Sequence, residues 1–112
     1  MTSLNFNGGQ MPTRTIPRAD TSHGKVLYAM YLYGRQTAIE WVKLTGYLGA
    51  QERANELLND FYFPIEKGYA MFRRPNGRTV AVRTYGINWN YISLQDLQYF
   101  IEDASALYGN LR

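Results

Sequence analysis

Cysteine is absent from the chain, and histidine occurs once, as His23. The first absence excludes a disulfide framework, thiolate catalysis and any thiolate-bound zinc or iron–sulfur centre. The second leaves no set of imidazoles for a metal site and makes His23 the one residue that could relay a triad. Charged residues are sparse, at 19%. No apolar stretch approaches the ~20 residues that cross a bilayer. The opening segment, MTSLNFNGGQMPTRTIPRAD, lacks the charged-then-apolar layout of a secretory signal. These features lead to the expectation of a cytoplasmic protein with no membrane role and no cofactor.

What is present is enough for one small domain. The 112 residues are 46% apolar and 15% aromatic, with ten tyrosines. Formal charge is +3, and it is unevenly placed: eleven of the twelve Lys/Arg residues precede Ile92, against six of the nine acids. The positive charge therefore belongs to the N-terminal part and the body, whereas the last twenty-one residues are net acidic.

Residues 1–20 read as a flexible basic arm carrying Arg14 and Arg18, because Gly8-Gly9, Pro12 and Pro17 interrupt any hydrophobic period. A first helix begins at Thr21 or Ser22, buries Val26, Met30 and Tyr33 with Leu27 and Tyr31 alongside, and stops at Gly34. A second opens on the capping box Thr37-Ala38-Ile39-Glu40, continues through Trp41, Val42 and Thr45, and ends at Gly46. The third covers about 50–60 and buries Ala50, Ala54, Leu57, Leu58 and Phe61.

The period then changes from 3.6 to 2. Tyr69–Arg73 and Arg78–Tyr85 read as strands around Arg74-Pro75-Asn76-Gly77, a type I turn closed by a glycine bulge. That loop pairs Arg74 with Arg78, Phe72 with Val80 and Ala70 with Val82. Ala70, Phe72, Val80 and Val82 then share one face. Tyr69, Met71, Arg73, Thr79, Ala81 and Arg83 share the other, which is too basic for a core. Gly86–Tyr91 reads as a linker. A final helix capped by Ser93 carries the stripe Leu94, Leu97, Ile101, Ala104 and Tyr108, widened by Phe100 and Leu107.

A helix, a helix–turn–helix and a hairpin, in that order, form an α+β plan: a three-helix body with a two-stranded wing and an added C-terminal helix. The local wording agrees. Lys25-Val26-Leu27, Thr37-Ala38-Ile39-Glu40, Arg53-Ala54-Asn55-Glu56-Leu57-Leu58 and Phe63-Pro64-Ile65-Glu66 together resemble the small winged helix-turn-helix DNA-binding proteins common in bacteriophage genomes. The likeness covers roughly residues 23–85. It implies a winged-helix fold; with the elements read above, that domain is expected over residues 21–91, and residues 92–112, outside the likeness, are expected as an added terminal helix. It also implies DNA binding in a phage context, as a regulator of transcription or replication.

The residues themselves divide the case. Gln51, Arg53 and Asn55 on the third helix are competent readers of base edges. Yet Glu52, Glu56 and Asp60 recur every four residues on that helix, and a row of carboxylates opposes entry into a phosphate-lined groove. On the hairpin, Arg73, Arg74, Arg78 and Arg83 cluster with no acid between Lys67 and Arg83. Such a cluster suits a polyanion, or it protects a strand edge from pairing. Tyr69, with Tyr62, Phe63, Tyr85, Trp89 and Tyr91 nearby, adds rings on which unpaired bases could stack. Core packing is the plainer use of an aromatic. A single-stranded DNA-binding cofactor that recruits a polymerase, such as RNA polymerase, is the rival reading. A small inhibitor of a host protein is a third. Leu97, Phe100, Ile101 and Tyr108 either complete the monomer core or form a homodimer seam. No catalytic arrangement emerges: Ser22 and His23 are sequence neighbours whose side chains diverge, Gly46 and Gly49 lack a following Lys-Ser/Thr, and Glu52 with Glu56 lacks a third metal ligand.

Overall fold

The computed structural model describes residues 15–109. Four helices and three strands are present among them: α1 (Ser22–Tyr33), β1 (Gln36–Thr37), α2 (Ala38–Thr45), α3 (Ala50–Asn59), β2 (Ile65–Arg73), β3 (Thr79–Ile87) and α4 (Gln98–Tyr108). A 3-10 turn, Gln95–Leu97, leads into α4. The architecture is mixed α+β, with an antiparallel sheet in the order β1-β3-β2. No helix among the described residues is long and apolar enough to cross a membrane.

The helix starts and stops follow local chemistry. Gly24 N–H donates to the Thr21 hydroxyl at 3.0 Å, which caps α1. Glu40 N–H donates to the Thr37 hydroxyl at 3.3 Å, which caps α2. Gly46 ends α2 at φ 69°, in the left-handed region that a side chain disfavours. Helix α1 departs from the expected stripe. Val26, Leu27, Tyr28, Ala29 and Met30 are all buried, so its middle lies inside the molecule on every side. The core around it takes Trp41, Ala54, Leu57, Phe63, Tyr85, Ile87, Leu97, Phe100 and Ala104.

Strand β1 has no counterpart in the sequence reading. Its two residues pair with Tyr85 and Thr84 of β3, so the sheet has three strands at its root and two beyond. The hairpin register is the expected one: Ala70 faces Val82, Phe72 faces Val80 and Arg73 faces Thr79. The turn is also as expected. Gly77 N–H donates to the Arg74 carbonyl at 2.9 Å, Arg74 N–H donates to the Arg78 carbonyl at 2.7 Å, and Gly77 has φ 87°.

Two expectations about the sheet need correction. The strands are longer than read. Gly86 and Ile87, expected to open a linker, belong to β3 and pair with Glu66 and Ile65. The reading of the faces holds along the outer ribbon, where Ala70, Val80 and Val82 are half-buried and Tyr69, Met71, Arg73, Thr79, Ala81 and Arg83 exposed; at the root both faces are covered, with Ile65, Tyr85 and Ile87 buried on one and Thr84 and Gly86 on the other. The basic residues stay solvated because the ribbon has by then left the body. Its outer half shows solvent on both faces, and the molecule measures 60 × 34 × 22 Å along its principal axes.

The arm and the terminal helix also differ from expectation. Residues 15–20 lie on the body: Thr15 N–H donates to the Phe61 carbonyl at 2.8 Å, and Pro17 is buried. Gly24 permits this approach, since a Cβ there would meet the Arg18 carbonyl oxygen at 2.2 Å. Ser93 and Asp96 exchange backbone-to-side-chain hydrogen bonds at 3.1 and 3.2 Å, a reciprocal cap over the 3-10 turn. Leu97 is fully buried and Phe100 nearly so. These two residues complete this chain's own core and are not open to a partner. Ile101 and Tyr108 are half-buried, and the Tyr108 hydroxyl donates to the Ala19 carbonyl at 2.7 Å. Leu94 and Leu107, read as part of the inward stripe, are exposed.

Candidate nucleic-acid interface

Strand pairing and the Pro75-Asn76-Gly77 turn carry the cationic cluster outward. Asn76 Oδ1 accepts from Arg78 N–H at 2.9 Å, which fixes the backbone between the two tip arginines. Arg73, Arg74, Arg78 and Arg83 are all exposed. Ion pairs among the described residues join Arg18 to Asp20, His23 to Glu56, Arg35 to Glu66 and Arg53 to Glu56. None involves a hairpin arginine. The guanidiniums of Arg73, Arg74 and Arg78 thus face water without a carboxylate, a repulsive arrangement that an external anion relieves.

Arg83 has a neutral partner. Its Nη2 donates to the Tyr69 hydroxyl at 2.8 Å, and its guanidinium carbon lies 5.1 Å from the centre of that ring. The hydrogen bond and the electrostatic contribution of Tyr69 raise the Arg83 pKa above its already high ordinary value, so the cation is permanent. From Tyr69 to Arg74 the strand advances about 17 Å, at roughly 3.4 Å per residue. The cationic surface is therefore an extended rail along the ribbon.

Helix α3 has a different character. Gln51 is exposed and Asn55 half-buried, but Arg53 does not join them as a base-facing side chain. Its Nη2 donates to Glu56 Oε2 at 3.3 Å, and its Nε lies obliquely 3.0 Å from Oε1. His23 Nε2 lies 2.7 Å from that same Oε1, and the Arg53 guanidinium sits 5.9 Å from the centre of the Tyr47 ring. Arg53 is thereby committed to a bridge between α1 and α3. The same bridge breaks the acidic row: Glu56 is matched on two sides, while Glu52 and Asp60 stay exposed. Glu52 has a local reason to be there, in the first turn of a helix that no side chain caps.

The remaining sequence candidates fall into distinct places. Arg18 is exposed and paired with Asp20 at 2.7 Å; Arg14 lies outside the described residues. Phe63 and Tyr85 are core residues and offer no ring to a ligand, whereas Tyr62, Tyr69, Trp89 and Tyr91 are exposed. Tyr62 takes φ 54°, turning the chain from α3 into β2. No group of three or more His, Cys, Asp or Glu that could hold a metal ion occurs among the described residues.

A scan of protein-family models and a search of curated proteins give no match.

The functional reading therefore rests on the ribbon. Sequence reasoning placed Met71 on the solvated face but passed over the exposure of Phe72 and the pairing of Glu66. Met71 and Phe72 are exposed at 65% and 47%, beside the arginines. Arg35 forms an ion pair with Glu66 at 3.6 Å, which occupies the one acid on the hairpin strands. The first could have been found from the absence of any third strand or helix to cover the outer ribbon. The second depends on the β1 connection, which brings Arg35 beside the sheet.

Proposed function

We propose that this chain is a winged-helix, non-enzymatic DNA-binding protein whose principal contact element is the hairpin. In the phage setting that the sequence resemblance implies, it serves as a regulator of transcription or replication. The observation that carries this reading is the set of exposed hairpin arginines with no carboxylate partner. Phosphate supplies the missing charge, and the ribbon's length lets several arginines follow one backbone. Helix α3 plays a lesser part than in a duplex reader of the helix-turn-helix kind, because Glu52 and Asp60 face solvent and Arg53 is committed elsewhere.

One observation favours a second reading, binding of single-stranded DNA. The Tyr69 ring is exposed and held in place by Arg83, which presents a fixed platform for an unpaired base next to a cation. Competition of a labelled duplex by unlabelled double- and single-stranded oligonucleotides, at two salt concentrations, tests both. Duplex preference with steep salt dependence supports the first reading, and single-strand preference supports the second. Failure to bind either refutes both and turns the ribbon toward a protein partner.

A further inference from the structure

The outer ribbon combines charge with apolar bulk in a way that phosphate contact alone leaves unexplained. Met71 and Phe72 are consecutive in a strand, so they project from opposite faces. Opposite them across the ribbon stand smaller residues, Ala81 and Val80 respectively. Each face thus has one apolar side chain that the described residues leave largely or half uncovered, Met71 on one and Phe72 on the other. Two residues toward the tip follows an arginine in each case, Arg73 after Met71 and Arg74 after Phe72. No third strand among the described residues reaches this level, since β1 ends with Thr37 opposite Thr84.

The charge on the strands decides what can cover these side chains. Two ribbons pairing edge to edge would bring five cations from each, Lys67 included, against one acid that is already matched by Arg35. Pairing of copies through this surface is therefore opposed. A nucleic-acid groove supplies the opposite arrangement, with phosphates on both walls and stacked apolar bases at the floor.

We infer that the ribbon is a wedge: Phe72 enters between base pairs of a duplex while the flanking arginines hold the phosphates on either side, and the duplex bends. The inference rests on the DNA-binding reading above and goes further, assigning a deformation and the residue that drives it. Opening a base step has a free-energy cost, so a duplex already unstacked at one step is bound more tightly than an intact one.

The test uses the full chain with an intact duplex labelled at both ends for energy transfer, the same duplex with a central two-base bulge, and the corresponding single strand. The wild-type protein is expected to raise energy transfer on the intact duplex and to bind the bulged one about tenfold more tightly or better. Phe72→Ala is expected to abolish the rise in transfer and to erase the bulge preference. Its binding to the intact duplex keeps the wild-type salt slope, because the arginines are untouched. Phe72→Leu keeps an apolar wedge and retains both effects in part. Circular dichroism is expected to show unchanged folding, since the residue lies outside the core. Binding without change in transfer and without bulge preference overturns the wedge and leaves DNA binding intact. Tightest binding to the single strand, weakened by Phe72→Ala, also overturns it and assigns the ring to base stacking. No binding to any of the three refutes the DNA reading itself, and the wedge with it.

Discussion

Replacing Arg73, Arg74 and Arg78 together with alanine isolates the electrostatic part of the proposed contact. These three side chains are exposed and make no ion pair among the described residues, and the turn between them is held by backbone bonds and Asn76, so the fold survives their loss. Each phosphate contact releases condensed counterions and adds about 0.9 to the slope of log K against log salt on duplex DNA. With all four hairpin arginines engaged, the slope is about −3.6; with Arg83 alone it is about −0.9. Between 50 and 200 mM salt the wild type should then lose about 150-fold in affinity and the triple variant only about threefold to fourfold. Fluorescence anisotropy of a labelled duplex across a salt series measures both slopes. A triple variant with the wild-type slope would refute the assignment of these arginines to phosphate, whatever its affinity at one salt concentration.

Three further outcomes are expected from the body of the molecule. Leu97→Ala should cost about 2–5 kcal/mol in urea unfolding as a core truncation, and Leu94→Ala within about 0.5 kcal/mol; equal effects would contradict the burial of Leu97. Glu56→Gln should cost about 1–3 kcal/mol, toward the lower end because the site is partly solvated, while Glu52→Gln on the same helix stays near neutral. Matching midpoints for these two variants would show that the bridge between α1 and α3 contributes nothing. Burial, and then the nearby charge of Asp20, raises the Tyr108 phenol above its ordinary pKa of 10.0. The folded state thus holds this proton to higher pH than the unfolded state. The contribution is complete below the ordinary value and is lost as pH rises through the raised one. Tyr108→Phe should accordingly flatten the decline in melting temperature between about pH 9 and 11; an unaltered decline would refute that origin.

The hairpin was legible in the sequence because its determinants are local. Pro75 sets one φ, Gly77 takes the positive one, and together they fix a register that every later pair inherits. The ends of α2 were legible for the same reason, in Thr37 and Gly46. Strand β1 was not, since two residues carry no period. Gly86 concealed the end of β3, because a glycine in a strand pattern reads as a break. Leu97 and Phe100 show a different limit: an apolar stripe states that a face is covered without stating by what. Arg53 lay between. Its spacing to Glu56 was readable as a helical pair. The arrival of His23 from α1, which turns that pair into a bridge, is a tertiary event.

Thr37 serves two layers of the fold at once. Its backbone belongs to the sheet opposite Thr84, and its hydroxyl receives the first turn of α2 through Glu40. A torque applied at the ribbon tip therefore has a short mechanical path to α2 through Thr37, beside the core contacts that Ile65, Tyr85 and Ile87 make. Loading of the tip should register as slowed amide exchange at Glu40, far from any ligand.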